Sequence, residues 1–222
     1  MEITTILGTL VVVALVVYWV WFASTTGVNT DRYVLFENSI PGDSQQSFTS
    51  MLPRSYNQPE GLTYSYTAWI LVKDFTKGYG ERRRIFSKGD SPGLYIDSTS
   101  NSLIVAIDTY GTTETILIPN VPAMKWILFA MVVDQHSVDI YINGILRKHH
   151  TLGQLPQLND SAVTIGSKWD GVISRLTYYS RSLNHVEIKN MLKEKVPSDL
   201  QRQAAPPNYF DISWYIGRLY SA

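Results

Sequence analysis

The run Lys125–Gly144, KWILFAMVVDQHSVDIYING, decides how this chain is read. From Trp126 to Val133 every position is apolar, so no face is marked for solvent. A continuous apolar run of about eight residues has the length of one strand covered on both faces and is short for a buried helix. Asp134-Gln135-His136-Ser137 breaks the run with turn-forming residues. Val138, Ile140 and Ile142 then alternate with Asp139 and Tyr141, the period of a half-buried strand. Asn143-Gly144 follows, and Asn-Gly between strand-like runs favours a type I′ hairpin because both positions take positive φ. Two-residue closure predicts Ile142 opposite Ile145, Ile140 opposite Arg147 and Asp139 opposite Lys148. The last would be an opposite-charge cross-strand pair. The centre of the chain is therefore antiparallel β.

Working outward, Tyr33–Phe36, Leu62–Phe75, Ile85–Gly89, Leu94–Asp97, Ser102–Thr109 and Thr113–Ile118 read as further strands and turns. Ile40–Gly61 is rich in Pro, Gly, Ser, Gln and Asn and reads as loop with short extended pieces. His149–Leu158 also reads as loop. Asn184–Val196 is the soluble helix: Asn184 and Glu187 have capping-box spacing, Ile188, Met191 and Leu192 share a face, and Pro197 stops it. Trp69, Trp126 and Trp169 are expected in the core.

These motifs resemble the laminin-G-like, concanavalin A-like family. The resemblance rests on Trp126 opening a hydrophobic strand, the Val138–Gly144 hairpin, Val163-Thr164-Ile165-Gly166, Trp169–Tyr179, and Ser180–Asn184 leading into a helix. It covers roughly Tyr33 to Val196. It implies an all-β, two-sheet antiparallel jelly-roll sandwich, and it carries little about function because one fold hosts lectins, glycanases and adhesion modules.

The 222 residues are 45% hydrophobic and 17% charged, enough for one substantial core plus appendages. Nineteen basic residues balance nineteen acidic ones, so no net field points to nucleic acid. The absence of cysteine excludes disulfides and thiolate chemistry.

Ile3–Ala23 is uncharged and apolar, and a helix of that length matches the roughly 30 Å hydrocarbon core of a bilayer. Leu10, Val13 and Val17 would face lipid, and Trp19, Trp21 and Phe22 would form an interfacial belt. The expected organisation is an anchor at 1–23, a spacer at 24–32, the sandwich at 33–196 and a tail at 197–222. The tail is aromatic, and Tyr209, Phe210, Trp214 and Tyr215 are expected to dock on a partner. Asn159-Asp160-Ser161 is a glycosylation sequon.

Catalysis finds little support. No strand offers carboxylates at i and i+2, as the family's glycanases use. The expected protein is therefore not an enzyme. No cofactor is expected; calcium is the one to consider, with Asp90, Asp108, Asp134 and Asp160 as loop or strand-end acids. His149 and His150, adjacent on a strand, would point to opposite faces, which with Arg147 and Lys148 reads as a solvated basic hairpin end. Arg82-Arg83-Arg84 is the densest charge run, either a solvated rim or a surface for acidic lipids, sulphated or sialylated glycans, or an acidic protein face.

The expected role is a membrane-anchored, non-enzymatic structural or interaction protein. A cysteine-free domain of this type on an anchor is similar to a minor capsid or virion membrane component of a large DNA virus, linking an internal membrane to a protein shell. The alternative is a surface lectin or adhesion module binding glycans at rim loops such as Gly89–Gly93 or Leu152–Asp160. The expected partners are a lipid bilayer and neighbouring proteins of a large assembly, with glycan in the alternative and no nucleic acid.

Overall fold

The structure, a computed structural model, describes residues 8, 11–20, 31–49, 52–55, 62–194 and 196–197. The chain divides into two units at Arg32/Tyr33. In the first unit, residues 11–20 are helical, with Val13, Val17 and Trp19 exposed. Among the described residues no helix is long and apolar enough to cross a membrane. Leu10, Trp21 and Phe22 of the expected anchor lie outside the described residues, as do Tyr209, Phe210, Trp214 and Tyr215 of the tail.

The second unit is an antiparallel two-sheet sandwich. Its strands are β1 (Arg32–Phe36), β2 (Ile40–Pro41), β3 (Gln46–Phe48), β4 (Thr63–Asp74), β5 (Arg83–Lys88), β6 (Gly93–Ile96) and β7 (Leu103–Asp108). They continue with β8 (Thr113–Ile118), β9 (Trp126–Asp134), β10 (Ser137–Ile142), β11 (Ile145–Thr151), β12 (Val163–Ile165) and β13 (Asp170–Tyr179). A seven-stranded sheet runs β1-β13-β4-β9-β10-β11, with β2 paired to β13, and a six-stranded sheet runs β3-β12-β5-β6-β7-β8.

The apolar run Trp126–Val133 is β9, flanked by β4 and β10 and buried on both faces, as its lack of alternation requires. Inward residues of both sheets, including Ile70, Phe86, Leu94, Val105, Phe129, Ile140 and Ile173, form one core. Trp169 is fully buried within it and Trp69 is buried, whereas Trp126 is only half-buried because it opens β9 at the sheet's end.

The hairpin closes at Asn143 (φ 51) and Gly144 (φ 70), placing Ile142 opposite Ile145 as the Asn-Gly signal predicts. Tyr141 opposite Leu146 keeps the same register, and past that pair the predicted register is off by one. The ladder shifts between Ile140 and Tyr141, so Ile140 faces Lys148 and Asp139 faces His149. Arg147 is the extra residue of a β-bulge, and every pair past a bulge is displaced. The expected Asp139–Lys148 pair is thus an Asp139–His149 contact at 2.6 Å. β11 also extends to Thr151, so His149–Thr151 is strand rather than the expected loop.

The helix His185–Met191 is shorter than the expected 184–196. Its predicted capping box is present: Asn184 accepts from the Glu187 N–H at 2.9 Å, and Glu187 accepts from the Asn184 N–H at 2.8 Å. Arg181 reinforces it, donating to Glu187 Oε1 at 2.6 Å. Ser65 of β4 holds the entry, its hydroxyl accepting from the Leu183 N–H at 3.0 Å and donating to the Arg181 carbonyl at 2.8 Å. Ile188 and Leu183 of this segment pack on Ala130, Val132 and Tyr179, covering part of the outer face of the seven-stranded sheet.

Candidate binding groove

The outer face of the six-stranded sheet is different. Phe86, Leu94, Val105 and Ile116 point into the core, so their neighbours along each strand point outward. The ladder aligns these outward residues in rows. One row runs Arg84, Tyr95, Ile104, Leu117 across β5, β6, β7 and β8. The next runs Ser47, Thr164, Ser87, Gly93, Ala106, Thr115 across the whole sheet. The second row is made of small and hydroxyl residues.

Tyr95 is the hinge between the rows. A Cβ on Gly93 would lie 2.4 Å from its ring, so only glycine lets the ring lie back along the strand. The guanidinium of Arg82 then stacks on the same ring, 4.0 Å from its centroid. Arg82, Asp97, Ser98, Ile104, Thr115 and Leu117 enclose a groove of about 290 Å³ beside this stack. That volume is at the small end of ligand sites. Leu117 is 51% exposed, an aliphatic side chain left open on the groove wall.

The groove end is fixed by Arg83. This residue is 1% exposed, and its guanidinium donates to the carbonyls of Phe75 at 2.5 Å, Lys77 at 2.9 Å and Asp97. Burial depresses its basicity, opposed by the charges of Asp97 and Asp74. The Gly80 N–H donates to the Ser98 carbonyl at 2.8 Å, closing the loop onto the same wall. The Asp97 carboxylate accepts from the Ser100 hydroxyl at 2.7 Å and the Ser100 N–H at 3.1 Å, both through Oδ2. The Ser100 hydroxyl bond is the main cause holding Asp97 below the usual carboxylate range.

The arginine run therefore divides three ways. Arg82 is exposed and lines the groove, Arg84 is half-buried on the outer row, and Arg83 is buried and engaged by carbonyls. A single surface of three arginines does not form. Tyr95, Asp97, Ile104, Thr115 and Leu117 do not stand out in the sequence; for Tyr95, Ile104, Thr115 and Leu117 the signal is the outward phase of GLYI, LIVAID and TETILI, which alternation alone marks only as solvent-facing.

The rim loops meet. Asn159 Nδ2 donates to the carbonyls of Lys88, at 3.0 Å, and Ser91, while Lys88 Nζ donates to the Asn159 carbonyl at 2.6 Å. The sequon nitrogen is thus engaged inside the fold and not presented to solvent. Burial lowers the basicity of Lys88. Asp160 lies 4.0 Å from Arg54, and Asp108 accepts from the Thr113 hydroxyl at 2.6 Å. Among the described residues no three His, Cys, Asp or Glu side chains converge as metal ligands. The histidine pair points to opposite sides, as adjacency on a strand requires: His149 meets Asp139, and His150 meets Glu114 of β8 at 2.7 Å. Glu114 also accepts from the Gly153 N–H at 2.8 Å. These bonds, the His150 contact foremost, keep its carboxyl below the usual range.

Residues 22–189 match the family profile Laminin_G_3, described as the concanavalin A-like lectin/glucanases superfamily. A search of curated proteins found no match. Among solved structures, the receptor binding domain of botulinum neurotoxin D is similar at 13% identity and TM-score 0.59, covering 76% of this chain and 48% of that chain. The botulinum neurotoxin serotype D ligand binding domain in complex with N-acetylneuraminic acid is 13% identical at TM-score 0.57, covering 76% and 47%. The botulinum neurotoxin serotype G binding domain is 17% identical at TM-score 0.55, covering 75% and 47%. The chain spans about half the length of these structures. At such identity the likeness is one of fold.

Proposed function

The chain belongs to the concanavalin A-like lectin/glucanases superfamily, and from that premise we propose that its sandwich is a non-enzymatic recognition module that binds carbohydrate in the groove beside Arg82 and Tyr95. The observation that carries this reading is the groove's amphipathic lining. Arg82 supplies planar donors, Asp97 a carboxylate, Ser98 and Thr115 hydroxyls, and Ile104 and Leu117 an aliphatic wall. A sugar ring carries the same mixture, hydroxyls at its edge and C–H groups on its faces. Arg82 suits a sugar bearing a carboxylate, since a guanidinium pairs with one through two parallel hydrogen bonds. The likeness to a domain solved with N-acetylneuraminic acid makes that sugar the first to test.

Binding without hydrolysis is supported by the same lining. Glycoside hydrolysis of the usual kind needs two carboxyl groups about 5 to 10 Å apart. Among the described residues lining the groove, Asp97 alone carries one. The proposal includes membrane attachment through residues 1–23, supported by the uncharged, exposed helical stretch at 11–20.

A glycan array probed with the full chain and with Arg82→Ala tests the reading. Retention of sialylated or otherwise acidic glycans by the full chain, lost in the variant, is expected. No retained glycan, or equal retention by both, overturns it. A second reading is favoured by the aromatic composition of 197–222: a structural component between a membrane and a protein shell, such as a minor capsid protein. It predicts protein partners that co-purify in mild detergent and vanish when the chain ends at Val196.

A further inference from the structure

β11 is the last strand of the seven-stranded sheet, and it stands apart from the others. Ile145, Leu146, Arg147, Lys148 and His149 are exposed in succession. Successive strand residues point to opposite faces, so this strand is exposed on both faces, and among the described residues no further strand pairs along its outer edge. The last tie to the other sheet is His150 on Glu114. Ile145 is 62% and Leu146 46% exposed, and among the described residues neither Arg147 nor Lys148 forms an ion pair. His149 and His150 each have a carboxylate; the two permanent cations do not.

We propose that the free edge of β11 takes up an extended acidic peptide segment of a partner protein as an added strand, independently of any glycan in the groove. An open edge offers backbone donors and acceptors to such a strand, and the side chains decide which strand is accepted. Here the side chains select by charge. Arg147 and Lys148 sit mid-strand, and opposite charges on facing strands stabilise while like charges destabilise. A second copy of the chain is disfavoured by that rule: antiparallel pairing about Lys148 sets Lys148 against its own copy and Arg147 beside His149. A partner strand with central carboxylates and an apolar end instead meets Arg147 and Lys148 with the first and Ile145 and Leu146 with the second.

The test uses the full chain in mild detergent and two capped eight-residue probes, one with two central glutamates flanked by valines and one with lysines in their place. Binding is followed by fluorescence anisotropy and by amide hydrogen exchange. The glutamate probe is expected to bind, to protect amides of residues 145–151, and to weaken as salt rises. The double variant Arg147→Glu/Lys148→Glu, whose positions are exposed, should weaken it at least tenfold and take up the lysine probe. Failure of the glutamate probe to bind at millimolar concentration overturns the proposal, as does protection elsewhere or equal binding to the charge-reversed variant. The Arg82→Ala variant should leave the peptide result unchanged, which separates this surface from the groove.

Discussion

The outer faces of the two sheets belong to one fold and are finished differently. On the seven-stranded sheet, Ala130, Val132 and Tyr179 are sealed under Leu183 and Ile188. On the six-stranded sheet, Thr115 and Leu117 are exposed, Tyr95 and Ile104 are half-buried, and Arg82 lies across the tyrosine. Both sheets contribute inward residues to one core. A helix over part of one face adds buried apolar contacts there, while the other face keeps polar and aliphatic side chains open to solvent.

The sharpest way to break the comparison is on the sealed face. Ile188→Ala removes a fully buried side chain and should cost about 2–5 kcal/mol, read as a lower midpoint in denaturant. Close behind is Arg83→Ala, which leaves the carbonyls of Phe75, Lys77 and Asp97 without their donor. A loss on the order of 3 kcal/mol is expected in the same measurement. Asn184→Ala removes the helix cap and should cost about 1 kcal/mol.

Acid sharpens the comparison further. Glu187, bonded first by Arg181, and Glu114, bonded first by His150, both have carboxyl groups held below their ordinary values. The unfolded chain therefore takes up protons first as pH falls. Their contribution is complete above about pH 5 and is lost as pH drops through the folded-state values, a decline that denaturation at stepped pH should record. Glu187→Gln should flatten it. Smallest in stability is Arg82→Ala, whose side chain is exposed: a change within about 0.5 kcal/mol is expected, with its whole effect on ligand.

Much of this was legible in the chain itself. The unbroken apolar run of β9 could only be a central strand, Asn143-Gly144 could only be a tight turn, and Asn184 with Glu187 announced the helix start. The register beyond Tyr141 was not legible, because a bulge at Arg147 depends on how the ladder settles and leaves no mark in alternation. The groove was hidden for a related reason. Its lining comes from β7, β8 and the residues just before β5 and just after β6, brought together by registers that sequence spacing does not state. The three arginines show the same limit: neighbours in sequence diverge because strand phase sends Arg83 inward and loop geometry lays Arg82 on Tyr95.

On the proposed function the bare face, and not the sealed one, receives the ligand. An NMR titration of the full chain with a sialylated oligosaccharide measures this directly, with Arg82→Ala alongside. Saturable shifts are expected at Arg82, Asp97, Ser98, Ile104, Thr115 and Leu117, none at Leu183 or Ile188, and none in the variant. Shifts that centre on the helix, or that persist unchanged in Arg82→Ala, would contradict the account.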